Sequence, residues 1–334
     1  MNMNSLSLIA ARAAGDGAMT RRLEGRVAVV TGAGRGLGAA YALALADHGA
    51  KVVLNDLGAG LQGEKIDEDP VVQVAEAIRA KGGEAVIDRG DVADFDAAGQ
   101  LIETALSSFG ALDILINNAG ILRDRMLVNM TVQEWDDVIR VHLRGHFCPT
   151  QHAAVHWRER AKQGKADAVL IHTTSIAGLH GNAGQANYST AKSGLATLAY
   201  LNHLELHARY GVRAYAIAPN ARTRLTLNSP GAADLVREPE AGTFDYFSPD
   251  NVAAFVAWLG AADCAAPSGT IYGVEGGLVR RYDAWHIATS INNGDKRWTF
   301  EELDARVDEL AAGHERTFTP LSEILIAPGQ APRA

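Results

Sequence analysis

The stretch "RVAVVTGAGRGLG" (26–38) joins a short β-branched run to a cluster of glycines and then to a helical pattern that continues to Gly49. A glycine cluster alone is a weak signal, and a bare strand–helix turn would use glycine too; its place between a strand and a helix is what gives it meaning. Glycine lets the chain turn tightly and approach a pyrophosphate closely, while the helix N-terminus offers free N–H groups and a partial positive charge. Gly32, Gly36 and Gly38 fit those roles, with Arg35 and Leu37 inside the same turn. A second strand, "AKVVLND" (50–56), ends at Asp56. A carboxylate there accepts hydrogen bonds from adenosine ribose hydroxyls and repels a 2′-phosphate, which favours NAD over NADP. Arg35 argues the other way, since a guanidinium pairs with that phosphate.

Outward from this turn, short apolar runs alternate with helical patterns. Strands are expected at 84–90, 111–120, 168–175, 212–219 and 269–277, with helices at 71–83, 96–110, 131–147 and 187–210. Seven strands separated by helices predict an α/β, doubly wound Rossmann fold: a seven-stranded parallel sheet with helices on both faces. Residues 21–280 read as one domain, 1–20 as a disordered leader with Met19 as an alternative start, and 281–334 as a helical extension packed on the domain. The extension's best helix is "TFEELDARVDELAAG" (299–313). The loop 57–70 is long for such a connection and reads as a solvated excursion.

Composition narrows the function classes. The chain has 334 residues, a net charge of −8 and two cysteines, Cys148 and Cys264. That balance disfavours a nucleic-acid or anionic-membrane partner. Two cysteines make neither a disulfide framework nor a cysteine zinc site, so a cytoplasmic protein is expected. No run of about 18 apolar residues is present to span a membrane.

"GQANYSTAKSGLATL" (184–198) puts Tyr188 and Lys192 four residues apart, neighbours on one helix face. A nearby cation favours a phenolate, so the pair predicts a lowered phenol pKa and a tyrosine usable as general acid or base. Ser175 ends the fifth strand in "HTTSIAG" (172–178), where its hydroxyl can bind the same substrate oxygen.

The set "TGAGRGLG" (31–38), "NNAG" (117–120), Ser175 and "YSTAK" (188–192) resembles the short-chain dehydrogenase/reductase family over about residues 25–280. The resemblance implies hydride transfer between a nicotinamide and a carbonyl carbon, with Tyr188 moving the proton and Lys192 also holding the nicotinamide ribose. It assigns Asn118, Ala119 and Gly120 to the cofactor, and Asp91, Val92 and Pro219 complete the expected contacts; Asp91 could equally cap the next helix. Where the family usually carries an asparagine, "RVHLRGHF" (140–147) has His142, whose titration near neutrality would alter the pH dependence. "APNARTR" (218–224) likewise replaces the usual Pro-Gly turn.

With "NNAGILRDR" (117–125), "GNAGQANYS" (181–189), "IAPNA" (217–221) and "NDLG" (55–58), these departures resemble the NAD-dependent (3R)-hydroxyacyl-CoA dehydrogenase domains of the peroxisomal multifunctional enzyme type 2 group. The implied reaction interconverts a (3R)-3-hydroxyacyl-CoA and a 3-ketoacyl-CoA, so the expected partner is an acyl-CoA thioester. The chain ends in "APRA", with no hydratase portion and no peroxisomal address, so a stand-alone enzyme is expected. The family also implies a homodimer or homotetramer.

The alternatives are a dehydrogenase of another bulky secondary alcohol such as a hydroxysteroid, an NADPH-dependent 3-oxoacyl-carrier-protein reductase, and an idle dinucleotide sensor. Arg123, Arg125, Arg222 and Arg224 could meet CoA phosphates or form ordinary salt bridges. His152/His156 and His203/His207 have helical spacing but no third ligand in evidence, so no metal is expected. Residues 222–250 are where the family places a mobile substrate lid, and read as a loop with one short helix.

Overall fold

The computed structural model describes residues 21–58, 69–227, 236–240, 242–283 and 285–311. The leader, most of the acidic loop, part of the 222–250 segment and the tail beyond residue 311 lie outside the described residues.

The strands are β1 (Val27–Thr31), β2 (Lys51–Asn55), β3 (Ala85–Asp88), β4 (Ile114–Asn117), β5 (Ala168–Thr173), β6 (Val212–Pro219), β7 (Thr270–Glu275) and β8 (Leu278–Tyr282). They form one sheet in the order β3-β2-β1-β4-β5-β6-β7-β8. The first seven pair in parallel, as expected, and β8 adds an unforeseen antiparallel edge. Its exposure alternates, and Glu275-Gly276-Gly277-Leu278 turns the chain back on itself, so no apolar run marks it. Gly276 has φ +51°, and a Cβ there would lie 2.4 Å from the Tyr246 ring.

Both faces of the sheet are apolar, as a covered parallel sheet requires. Ala28, Val30, Ile114 and Ile116 face a core that includes Tyr41, Leu45, Ile78 and Val256. Val27, Val29 and Leu115 face the opposite core, with Leu101, Ile102 and Trp157. The first side is covered by α1 (Gly36–Asp47), α2 (Pro70–Ala80) and, later in the chain, α8 (Pro249–Gly260). The other is covered by α3 (Phe95–Phe109), then by α4 (Val132–Ile139), α5 (Gly145–Arg160), the short α6 (Ile176–His180) and α7 (Ala186–Asn202). The Asp94 carboxylate caps α3 by accepting from Ala97 N at 2.9 Å, so Asp91 is not the cap.

Two helices run differently from the sequence reading. The helix expected at 131–147 continues to Arg160 through a π-helical turn, Arg140–Arg144, whose end is marked by the Gly145 N–H reaching Arg140 O. Pro149 follows one turn later inside α5, where it has no N–H to give to the ladder. The helix after Tyr188 also passes through a π turn, His203–His207, before ending at Tyr210. Near the C-terminus two short helices, α9 (Phe300–Asp304) and α10 (Val307–Ala311), replace the single amphipathic helix. Arg306, at the break, is turned to reach Asn292 O and the carboxylate of Glu309. No helix among the described residues is long and apolar enough to cross a membrane.

Candidate active site

The strand order reverses between β1 and β4, and this switch point at the strand ends is where an open α/β sheet offers a crevice. A cavity of about 240 Å³ opens there. Of the expected cofactor contacts, Gly32, Arg35, Gly36, Leu37, Asp56, Asp91, Val92, Asn118, Ala119 and Gly120 line it. Arg140 and Thr223 line it too, unforeseen from sequence. Gly38, Pro219, Tyr188 and Lys192 are not in the lining; Gly38 shapes the turn from behind.

The glycines are required sterically. Gly32 has φ +64° and Gly36 has φ +53°, left-handed conformations that other residues adopt at a cost. A Cβ on Gly32 would sit 2.9 Å from Ala119 Cα, and one on Gly38 only 2.0 Å from Gly32 O. This cradle fits a dinucleotide pyrophosphate against the start of α1.

Thr31, which the sequence reading passed over, ties the two sides of the crevice together. Its Oγ1 accepts from Asn118 N at 2.8 Å and from Ala119 N at 3.1 Å. Asn118 Nδ2 returns a bond to Thr31 O at 3.0 Å. Its position directly before the glycine turn was the available signal.

Asp56 accepts one backbone N–H on each oxygen, from Gly34 at 2.8 Å and Gly58 at 2.9 Å. It therefore shapes the glycine turn as well as offering a negative charge to the cavity. Asp91 accepts from Ala93 N at 2.9 Å and forms an ion pair with Arg140.

Ser175, Tyr188 and Lys192 meet beside this cavity. Ser175 caps α6, its oxygen accepting from Ala177 N at 3.2 Å, and its hydroxyl is near enough to the Tyr188 phenol to favour the phenolate. Lys192 Nζ lies 5.6 Å from the centre of the Tyr188 ring and donates to Thr173 O at 2.6 Å. Gly178 makes this packing possible, since a Cβ there would fall 2.6 Å from Lys192 Cβ. Asn187 fixes the start of α7 from below, donating to Arg123 O at 3.0 Å and to Glu134 O at 2.9 Å.

The electrostatics correct two expectations. Burial raises the Tyr188 phenol to about 12, with the Ser175 hydrogen bond pulling down and the Asp124 carboxylate pushing up. The predicted lowering by Lys192 is absent, because burial brings that ammonium down to about 7. His142 does not titrate near neutrality either: burial first, then the Lys192 charge, holds it well below its usual value, against a hydrogen bond to the Ile121 backbone. The His142 ring stands edge-on to Tyr188 with centroids 5.3 Å apart, and its Nε2 lies 2.8 Å from Ile121 O.

Other candidates are placed elsewhere. Arg125 donates twice to Glu134, Arg123 lies 3.6 Å from Asp137, and Arg222 pairs with Asp245, so these three form intrachain ion pairs. His152 meets Phe95 O at 2.9 Å and His203 meets Ser268 Oγ at 3.0 Å. Sequence reasoning missed His146 and His172, both fully buried next to this site. His146 lies four residues beyond His142, a spacing that could have drawn attention to it.

A match to the short chain dehydrogenase family spans residues 26–228. Hydroxyacyl-CoA dehydrogenase ChsB1 of Mycobacterium tuberculosis is 42% identical over 89% of this chain and 92% of its own length. The peroxisomal multifunctional enzyme type 2 of Mus musculus is 41% identical over 74% of this chain but only 31% of its own length. A short chain dehydrogenase from Mycobacterium avium superposes with a TM-score of 0.75 at 45% identity, covering 86% of this chain and 95% of that one. With the glycine cradle, the switch-point cavity and the Ser175–Tyr188–Lys192 cluster, these similarities establish that the chain belongs to the short-chain dehydrogenase/reductase family.

Proposed function

We propose that the protein interconverts a (3R)-3-hydroxyacyl-CoA and its 3-ketoacyl-CoA with NAD as the dinucleotide. The observation that carries the oxidoreductase reading is the Tyr188 phenol, influenced by Ser175 and flanked by Lys192, beside a cavity lined by the glycine turn. A bound nicotinamide supplies the hydride or takes it up. The protein's own residues handle the oxygen and the proton. Ser175 and Tyr188 hold the substrate oxygen, and Tyr188 gives its proton to a carbonyl or takes one from an alcohol. Lys192, anchored on Thr173 O beside the phenol ring, is brought by burial to about 7, so it can gain or lose a proton near neutrality. The raised Tyr188 pKa keeps the resting phenol protonated, ready to act as an acid.

The thioester substrate rests on the near full-length similarity to a hydroxyacyl-CoA dehydrogenase. An exposed apolar rim of Met126, Leu127 and Val128 supports it, joined to the catalytic helix through the Arg125–Gln185 bridge. The Asp56 charge supports NAD. An assembly of two or four copies through α5 and α7 fits the shallow apolar groove formed by Leu143, Phe147, Leu198 and Leu201. Two buried, unpaired cysteines fit a cytoplasmic setting.

The test is NADH oxidation with a medium-chain 3-ketoacyl-CoA, run in parallel with NADPH. Rapid turnover with NADH is expected; turnover only with a ketosteroid, or only with NADPH, would refute the substrate or the cofactor. Asp56→Asn removes the charge and keeps one accepting oxygen, enough for the Gly34 or the Gly58 N–H but not for both. It is expected to shift the NADH/NADPH preference toward NADPH by about tenfold, one unfavourable charge contact. An unchanged ratio would remove Asp56 from cofactor choice.

A further inference from the structure

A buried polar chain beneath the active site has no part in the chemistry described so far. His146 on α5 and His172 on β5 are 0% exposed, and their Nδ1 atoms lie 3.2 Å apart. The rings are nearly parallel, with centroids 5.4 Å apart and an interplanar angle of 17°. On the far side of His172, Nε2 lies 2.9 Å from Asn202 Nδ2 at the end of α7. Three elements thus meet in one line of side chains.

Hydrogen-bond chemistry gives this line a direction. An amide nitrogen only donates, so His172 Nε2 accepts from Asn202. A neutral imidazole that accepts on Nε2 carries its proton on Nδ1. His172 Nδ1–H then donates to His146 Nδ1, which leaves the His146 proton on Nε2. Both rings are held neutral by burial and by the Lys192 charge, as the scheme requires.

The protonated end aims at the cofactor crevice. His146 Nε2 has no hydrogen-bond partner among the described residues, and the Ala119 backbone is near enough to the ring to favour its protonation. One turn away on α5, the Thr150 hydroxyl accepts from Asn117 Nδ2 at 2.9 Å, holding the same helix face to the end of β4. One turn earlier, His142 Nε2 lies 2.8 Å from Ile121 O. Successive turns of one helical face therefore meet the chain at Asn117, Ala119 and Ile121, and the last two line the cavity.

We propose that His146, His172 and Asn202 are positioning residues. Asn202 fixes the tautomer of His172, His172 fixes that of His146, and the resulting Nε2–H of His146 steers the Ala119 peptide that borders the nicotinamide dinucleotide. The role rests on the dinucleotide-binding function proposed above.

Asn202→Asp reverses the logic. A carboxylate accepts only, so His172 would donate from Nε2, His146 would donate from Nδ1, and a lone pair would face the Ala119 carbonyl. Asn202→Ala removes the donor without adding charge and serves if the carboxylate prevents folding. Long-range ¹H–¹⁵N spectra of the free protein report each tautomer, with His146 and His172 assigned through single variants. The dinucleotide dissociation constant, and the KM values for dinucleotide and acyl substrate, are measured on the same samples.

The expected result is Nδ1–H on His172 and Nε2–H on His146 in the unsubstituted protein, with reversal in Asn202→Asp. Dinucleotide binding should weaken by about tenfold, the cost of one misdirected hydrogen bond. The KM for the acyl substrate should change much less. In Asn202→Ala, His172 should show mixed tautomers and a smaller loss of affinity. The opposite tautomers in the unsubstituted protein overturn the chain. Correct tautomers with unchanged dinucleotide affinity in the folded variants overturn the positioning role. If the unsubstituted protein binds neither NADH nor NADPH, the functional reading fails and this role with it, while the spectra still judge the chain.

Discussion

At the residue scale, the site depends on a balance between burial and hydrogen bonding. Tyr188 is costly to ionise where it stands, with a pKa near 12, and Ser175 is the partner that lowers that cost. Tyr188→Phe is therefore expected to reduce kcat by about 10³-fold, within the range for loss of a general acid. Dinucleotide affinity, read by quenching or calorimetry, should stay near that of the parent protein. The histidines give a second prediction. His142, His146 and His172 are held neutral when folded and can charge when unfolded, so the unfolded chain binds more protons below about pH 6.5. Stability therefore falls as pH drops through that value, by up to about 1.4 kcal/mol per pH unit for each histidine. Urea unfolding from pH 7.5 to 5 measures the slope, and His172→Gln should make it shallower. An unchanged slope would mean His172 is not buried neutral.

At the scale of elements, β8 owes its place to charge as well as to strand pairing. Glu275 is 1% exposed at the end of β7, where it accepts from Asn220 Nδ2 at 2.6 Å and pairs with Arg280 on β8. The hairpin thus buries a carboxylate and brings its own cation to it. Arg280→Met should destabilise the protein by about 3–5 kcal/mol, the cost of leaving a buried charge unpaired. Adding Glu275→Gln should recover most of that loss, measured by denaturant unfolding. Failure of the second substitution to rescue would show that the arginine matters through packing. The π turn Arg140–Arg144 is a second element-scale device. It adds a residue to one turn, on a helix that presents His142, His146 and Thr150 to the ends of β4 and β5.

For the whole molecule, the parallel sheet is covered on both faces, but its outer helices still carry apolar groups. Phe147 on α5 is 49% exposed, and Leu201 on α7 is 43% exposed. A patch of this kind on a helix pair suits the subunit contact proposed above. Sedimentation should find a dimer or tetramer, and Phe147→Glu should shift it toward a smaller species by burying a charge at a two-fold contact. A monomer before substitution would refute that assembly.

The sequence by itself determined the parallel α/β fold, the glycine cradle and the identities of Ser175, Tyr188 and Lys192. Those features rest on local signals: short continuous apolar runs, glycines that take positive φ without a Cβ clash, and a four-residue helical spacing. The tertiary structure decided what depends on partners distant in the chain. Burial raised the Tyr188 phenol and lowered Lys192 and His142, reversing expectations drawn from helix neighbours alone. The antiparallel β8, the continuation of α4 through the π turn into α5, and the His146–His172–Asn202 line were likewise set by packing. Desolvation and long-range hydrogen bonds arise only once separate segments share a dry interior, and no window of sequence contains them.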